Sequence, residues 1–171
     1  MTLKNYMKKS LKEFQSEEAI FIDASIFLHH AFDINNVSVE FLGRVETSNI
    51  KAYTSSLIID EIFFKLIMQS ASNYLDKVTV ECVKAILKDA TVKEKVMKPV
   101  EDYRDYLNKL KALGLKVLDL THEDMMAAVT KVKTHGVITA DVAHLSVMER
   151  KGILHMASGD SDFKNIDTIT L

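Results

Sequence analysis

The sequence predicts an α/β domain: a short central parallel sheet of about four strands, with helices on both faces in three layers. Three observations carry this reading. Short apolar runs alternate with longer stretches of helical periodicity, as a parallel sheet covered on both faces requires. The chain has 171 residues, a length that fits one domain with a sizeable core. Its five glycines, Gly43, Gly114, Gly136, Gly152 and Gly159, each fall at or near the end of an apolar or periodic block, where the chain often turns with positive φ.

Residues 3–18 read as an amphipathic helical extension with Leu3, Met7, Leu11 and Phe14 on one side. A single domain then runs over residues 19–171. Ala19–Ile22 form a short apolar run ending at Asp23, the first predicted strand, and Ser25–Phe32 continue as a helix. A weaker helical pattern covers Val37–Val45. Ser55 or Ser56 can cap a helix running through Gln69. Helical periodicity resumes over Leu75–Lys95 and from Pro99 to Leu113, a helical insert around residues 71–113. The single proline, Pro99, suits the first position of a helix. Leu115–Leu120 read as the second strand. Thr121 with Asp124 resembles a capping box for a helix to Lys133, with Asp in place of the usual Glu. Thr139 opens a helix that closes with Arg150, Lys151 and Gly152, a favourable C-terminal signature. Ile153–Ala157 and Thr168–Leu171 complete the strands. No repeat, low-complexity tract or linker divides the chain.

The totals exclude several classes. A net charge of −2 means that any nucleic-acid site is a local patch. One cysteine, Cys82, excludes an internal disulfide framework and fits a reducing cytoplasm. No apolar run reaches the roughly 18–20 residues of a membrane span, and the Lys- and Glu-rich start lacks a secretory signal's apolar core. The phosphate loop Gly-x-x-x-x-Gly-Lys-Ser/Thr, the dinucleotide fingerprint and the Gly-x-Ser-x-Gly elbow are absent. Asp23-Ala-Ser also lacks the second Asp of a haloacid-dehalogenase-type phosphatase.

The informative residues are carboxylates. In sheets of this type, sites form beyond the carboxyl ends of the strands. Asp23 directly follows the first strand and Asp160 closely follows the third. Taken alone, Asp23 is explained as a helix N-cap. Glu61 lies in a helix apolar on nearly every side, so it needs a partner, either Lys65 one turn later or a cation. Asp60 is the alternative acid there, although first-turn placement already explains it. Asp141 sits in the first turn of its helix, with His144 and Leu145 on its face. Asp160 and Asp162 lie in Ser158-Gly-Asp-Ser-Asp-Phe163, a composition typical of solvated turns. Together these acids form a set of hard oxygen donors suited to Mg²⁺ or Mn²⁺, and clustering them without a cation is costly.

Four blocks carry a family resemblance: Phe21-Ile-Asp-Ala-Ser-Ile-Phe-Leu28, Ser55-Ser-Leu-Ile-Ile-Asp-Glu-Ile62, Ile138-Thr-Ala-Asp-Val-Ala-His-Leu145 and Ala157-Ser-Gly-Asp-Ser-Asp-Phe163. In type and order they resemble the acidic motifs of PIN domains, most of all VapC-type toxins and related prokaryotic PIN proteins. The resemblance covers roughly residues 19–171. It implies a PIN-like α/β/α fold and an acidic quartet of Asp23, Glu61, Asp141 and Asp160, with Asp162 an accessory acid. Ser25 and Ser158 match its small hydroxyl positions. It further implies an endoribonuclease in which Mg²⁺ or Mn²⁺ activates water for in-line attack on RNA, leaving a 5′-phosphate and a 3′-hydroxyl. An antitoxin and a homodimer are the implied partners, in the cytoplasm and away from membranes. A non-catalytic PIN-fold module binding RNA or protein is the alternative. A phosphatase-like or receiver-like domain is a third.

The remaining features read as structural. His29 and His30 suit packing or solvated positions rather than ligands, and Phe63, Phe64 and the eight methionines suit packing. The lysine clusters near the start and over Lys93–Lys111 suit solvated faces.

Overall fold

The computed structural model describes residues 10–14, 18–47, 50–136, 139–161 and 163. Among these, four parallel strands form one sheet: β1 (Ala19–Ile22), β2 (Lys51–Ser55), β3 (Lys116–Leu118) and β4 (His155–Ala157), in the order β3-β2-β1-β4. The helices are α1 (Ala24–Ala31), α2 (Asn36–Glu46), α3 (Ser56–Ala71), α4 (Val80–Ile86), α5 (Ala90–Ala112), α6 (His122–His135) and α7 (Thr139–Lys151). Helices on both faces give the three-layer α/β/α architecture that the sequence predicts. One layer links α1 with α2 and α3, and α3 with α5, while α6 packs on α7.

Strand order decides where a site can form. From β1 the chain moves outward through β2 to β3, then returns to set β4 on the other side of β1. The connections from β1 and β4 thus diverge, and a crevice opens at their carboxyl ends. Register sharpens this. Ile22 pairs with Ala157, so Asp23 and Ser158 emerge side by side. Phe21 pairs with Tyr53, which brings Ser55 level with Asp23.

The first strand occupies the centre because its sequence can be buried on both faces. Ile20, Phe21 and Ile22 are at most 1% exposed. Fully burying each such side chain contributes roughly 1.5–3 kcal/mol. The insert is tied to α1 by aromatics. Tyr103 Oη donates to the Phe27 carbonyl at 2.7 Å, and Tyr106 stacks on His30 with ring centroids 4.4 Å apart. On the other face, Thr121 and Asp124 complete the expected capping box. Arg150 of α7 donates to the Asp124 carboxylate and to the Asp119 carbonyl, locking α6 to α7.

Several details differ from the sequence reading. Strand β2 was not anticipated, because Lys51-Ala-Tyr-Thr-Ser has a single large apolar residue; its alternation of exposed Lys51, buried Ala52 and buried Thr54 is the weak signal. β3 and β4 are shorter than the apolar runs containing them. The predicted strand Thr168–Leu171 lies outside the described residues. The continuous helix over 75–95 is interrupted. Thr79 caps α4 and Asp89 caps α5 through side-chain bonds to backbone amides, with a 3₁₀ turn at Ser72–Tyr74 before them. Pro99 lies inside α5 rather than opening a helix. It is on the exposed side, where the Lys95 carbonyl that loses its partner can meet water.

Of the N-terminal extension, residues 1–9 and 15–17 lie outside the described residues. Leu11–Glu13 form a turn rather than helix. Phe14 enters the core, held by Arg44, which donates to the Phe14 carbonyl at 2.7 Å and also to the Leu11 carbonyl. Phe64 is 46% exposed rather than core. It lies opposite the buried stripe Ile58, Ile62 and Leu66, so α3 has a solvent face despite its apolar composition.

Candidate active site

Asp23 leaves the end of β1 and caps α1, with Oδ2 accepting from the Ser25 amide at 3.3 Å. Capping and site membership are therefore properties of the same carboxylate. Asp23 is only 6% exposed, so its charge needs compensation. Two hydroxyls supply it: Ser25 Oγ donates to Oδ2 at 2.6 Å and Ser158 Oγ donates to the same atom at 2.8 Å. Each hydroxyl also accepts a backbone N–H from the loop after β4. The Gly159 amide donates to Ser25 Oγ at 2.9 Å, and the Asp160 amide donates to Ser158 Oγ at 3.0 Å. One carboxylate oxygen thereby fixes the loop that carries Asp160.

Gly159 leaves room there for a side chain of α1. A Cβ at that position would lie 2.7 Å from His29 Cε1. The His29 ring is held in turn by Ser38 of α2, with Nδ1 and Oγ 3.1 Å apart. Of the two readings its sequence context allows, packing or solvation, His29 takes packing, and the surface it packs against is the acidic loop.

Glu61 lies on the second turn of α3 and is partly buried. Burial, then the neighbouring charge of Asp23, raises its carboxyl above the ordinary range, with Asp160 adding to the rise and Lys65 opposing it. The lysine expected as its partner is therefore present but outweighed. The same influences show that Asp23, Glu61 and Asp160 share one electrostatic neighbourhood. Asp60 faces solvent instead. Asp141 lies in the first turn of α7 and is partly buried, one turn ahead of His144. Asp162 lies outside the described residues.

Sequence reasoning passed over Ser55 and His144 as site residues. Ser55 Oγ accepts from the Ile58 amide at 3.3 Å, capping the helix that carries Glu61, and stands 3.4 Å from His144 Nδ1. His144 is 1% exposed and packs its ring on Phe21, with centroids 5.8 Å apart. Burial lowers its imidazole to about 4, with Asp23 acting in the opposite sense, so the ring is neutral at pH 7. A lone histidine among Val142, Ala143, Leu145, Val147 and Met148 was the signal available.

The donor set is one that hard divalent cations favour, namely carboxylate oxygens on separate elements. The repulsion felt at Glu61 is the cost that a cation would relieve. Among the described residues, no three His, Cys, Asp or Glu side chains stand close enough to share an ion as they are.

Two predictions follow from this geometry. Gly159→Ala should lower the melting temperature by forcing the loop off His29. Combining it with His29→Ala should restore part of the loss, a non-additivity that thermal melts of the four proteins measure; additive effects would remove the contact from the account. The second concerns pH. Glu61 holds its proton more tightly when folded, so it costs stability as pH rises above its ordinary 4.5. His144 has the opposite sign: the unfolded chain takes up a proton below its ordinary 6.5, so the stability it contributes is lost as pH falls toward 4. Metal-free Glu61→Gln should therefore match wild type in acid and melt progressively higher than wild type toward pH 7. A constant offset at all pH values would refute the assignment.

Comparison with known proteins bears on the fold and the family. No curated protein matches the chain. Among solved structures it is similar to VapC20 of Mycobacterium tuberculosis, described as a Sarcin-Ricin loop cleaving toxin, with a TM-score of 0.53 and 14% identity over 89% of this chain and 98% of that one. It is also similar to VapBC2 of Rickettsia felis, solved bound to a DNA fragment from its promoter, with a TM-score of 0.54 and 13% identity over 90% of this chain and 96% of that one. At such identities these likenesses establish the fold. The model of the PIN domain family matches residues 20–169, and the chain belongs to that family.

Proposed function

We propose that this chain is a divalent-metal-dependent endoribonuclease that hydrolyses RNA phosphodiester bonds, acting as the toxin of a toxin–antitoxin pair. One observation carries the reading: hydrogen bonds through Ser25 and Ser158 tie Asp23 to the loop that bears Asp160, at the crevice where the strand order reverses. Membership of the PIN domain family and the likeness to VapC20 and VapBC2 support it. In this reading Asp23, Glu61, Asp141 and Asp160 hold Mg²⁺ or Mn²⁺, with Asp162 as an accessory acid. The cation supplies an activated water and neutralises charge on the phosphate. The chain's own part is positional. Ser25 and Ser158 fix Asp23 and the Asp160 loop. Ser55 caps the helix that carries Glu61, and α7 presents Asp141 from its first turn. RNA is the substrate and the site of action is the cytoplasm. No helix among the described residues is long and apolar enough to cross a membrane.

A non-catalytic module that binds RNA or protein is the competing reading. It is favoured by the separation of the acids, since no three described side chains form a ready coordination sphere. Incubating the purified protein with labelled RNA and Mn²⁺, with and without chelator, separates the two. Cleavage lost in chelator is the expected result. Cleavage unchanged in excess chelator would sink the metal dependence, and no cleavage across diverse RNAs would favour the binding module.

Asp141→Asn tests the acid assigned with least geometric support. The metal-free variant should melt at or above the wild-type temperature, because one like charge is gone. At Mn²⁺ 100 times its dissociation constant, wild type should gain roughly 2.7 kcal/mol, and the variant should lose most of that gain. If Asp141 only complements the helix terminus, Asn should cost up to about 1 kcal/mol and keep the full Mn²⁺ response. We also read the protein as a homodimer with an antitoxin partner. Light scattering should report a dimer at micromolar concentration, and co-expression with the neighbouring reading frame should yield a complex. A monomer that purifies alone would remove both.

A further inference from the structure

His144 combines features that packing alone does not explain. It is 1% exposed, yet its Nε2 is buried with no hydrogen-bond partner among the described residues. A buried polar atom left unpaired costs about 1–3 kcal/mol, and an apolar residue of similar size would avoid that cost. The ring is nevertheless held in place. Its ring packs at a tilt on Phe21, which stands two residues before Asp23 on the same chain. Its Nδ1 stands 3.4 Å from Ser55 Oγ, which accepts from the Ile58 amide at 3.3 Å. The arrangement that satisfies both groups has the serine hydroxyl donating to Nδ1. The neutral ring then carries its hydrogen on Nε2, the unpaired edge. Asp23 is the charge that this imidazole feels.

We propose that His144 is a positioning residue of the acidic site: Ser55 fixes one edge of its ring, and the other edge presents the Nε2–H as the donor that orients the Asp23 carboxylate when a cation draws the acids together. The inference rests on the metal-dependent reading above and deepens it. Ser25 and Ser158 engage Asp23 through Oδ2. With the Ser25 amide they all reach that one atom, so an additional donor at the other oxygen would fix the carboxylate plane. Partners behind metal ligands commonly govern affinity by about 10–100-fold.

The test uses the full chain, Mn²⁺ alone as the probe, and isothermal titration with metal-free thermal melts. His144→Asn keeps a polar atom near the Nδ1 position but has none at Nε2. His144→Gln reaches the Nε2 position. His144→Phe keeps the ring and removes both. We expect Mn²⁺ affinity to fall about tenfold or more in His144→Asn and His144→Phe, and to stay within about threefold of wild type in His144→Gln. Metal-free melting of His144→Phe should match or exceed wild type, because an unpaired polar atom is gone. A residue needed only for packing would give the reverse: lower melting in the polar variants, with Mn²⁺ affinity of the folded protein unchanged. Should His144→Phe fail to fold, the Asn and Gln pair decides by itself. Wild type that binds Mn²⁺ while all variants bind within threefold of it overturns the role of His144 and leaves the metal reading standing. Wild type that binds no Mn²⁺ overturns both.

Discussion

A carboxylate removed from water must be satisfied by its surroundings, and at Asp23 that requirement organises the whole carboxyl edge of the sheet. Two serine hydroxyls from different elements converge on one oxygen atom. Each of those hydroxyls then accepts a backbone amide from the loop after β4. Donors that each hold a second group link α1, β1 and β4 into one unit, so the placement of Asp160 follows from the burial of Asp23. Charge-assisted bonds of this kind are short and strong. The loop's geometry is therefore set by chemistry at its base rather than by the solvated residues at its tip.

That unit depends on the parallel register. With Ile22 opposite Ala157, Asp23 and Ser158 are adjacent. A slip of one residue would turn both side chains to opposite faces. The register is specified by the core beneath it, where Ile20, Phe21 and Ile22 fill both faces of β1 with almost no exposure. Packing several residues below the site thus determines which polar atoms meet within it. His29 extends this dependence to α2, since Ser38 holds the ring that limits the loop at Gly159 to a residue without a side chain.

The site also carries unrelieved electrostatic tension. Glu61 is pushed toward its neutral form by burial and by Asp23 and Asp160. His144 is held neutral beside a carboxylate that would favour its charged form. At both positions a polar group is buried against its local preference. By contrast, the capping box at Thr121 and the Asp124–Arg150 pair are satisfied, ordinary devices.

Much of this was legible from sequence. Apolar runs separated by helical periodicity identified the α/β class, because burial on two faces writes continuous apolar runs. Asp23 and Asp160 stand out by their placement after strands and Asp141 only through the family resemblance, while caps such as Thr121 are legible from local bonding over three residues. Local physics of this range is encoded in adjacent residues. What sequence did not determine were quantities set by distant partners. β2 was missed because its β character comes from pairing with β1 and β3 rather than from its own composition. The interior place of Pro99 depends on which side of α5 meets water. Ser55 and His144 lie 89 positions apart and become neighbours only when β2 and α7 pack against β1. That Asp23 acts on Glu61 beside its local neighbour Lys65 was likewise decided by the tertiary structure: Lys65 is one turn away on the same helix, whereas Asp23 arrives from the end of β1.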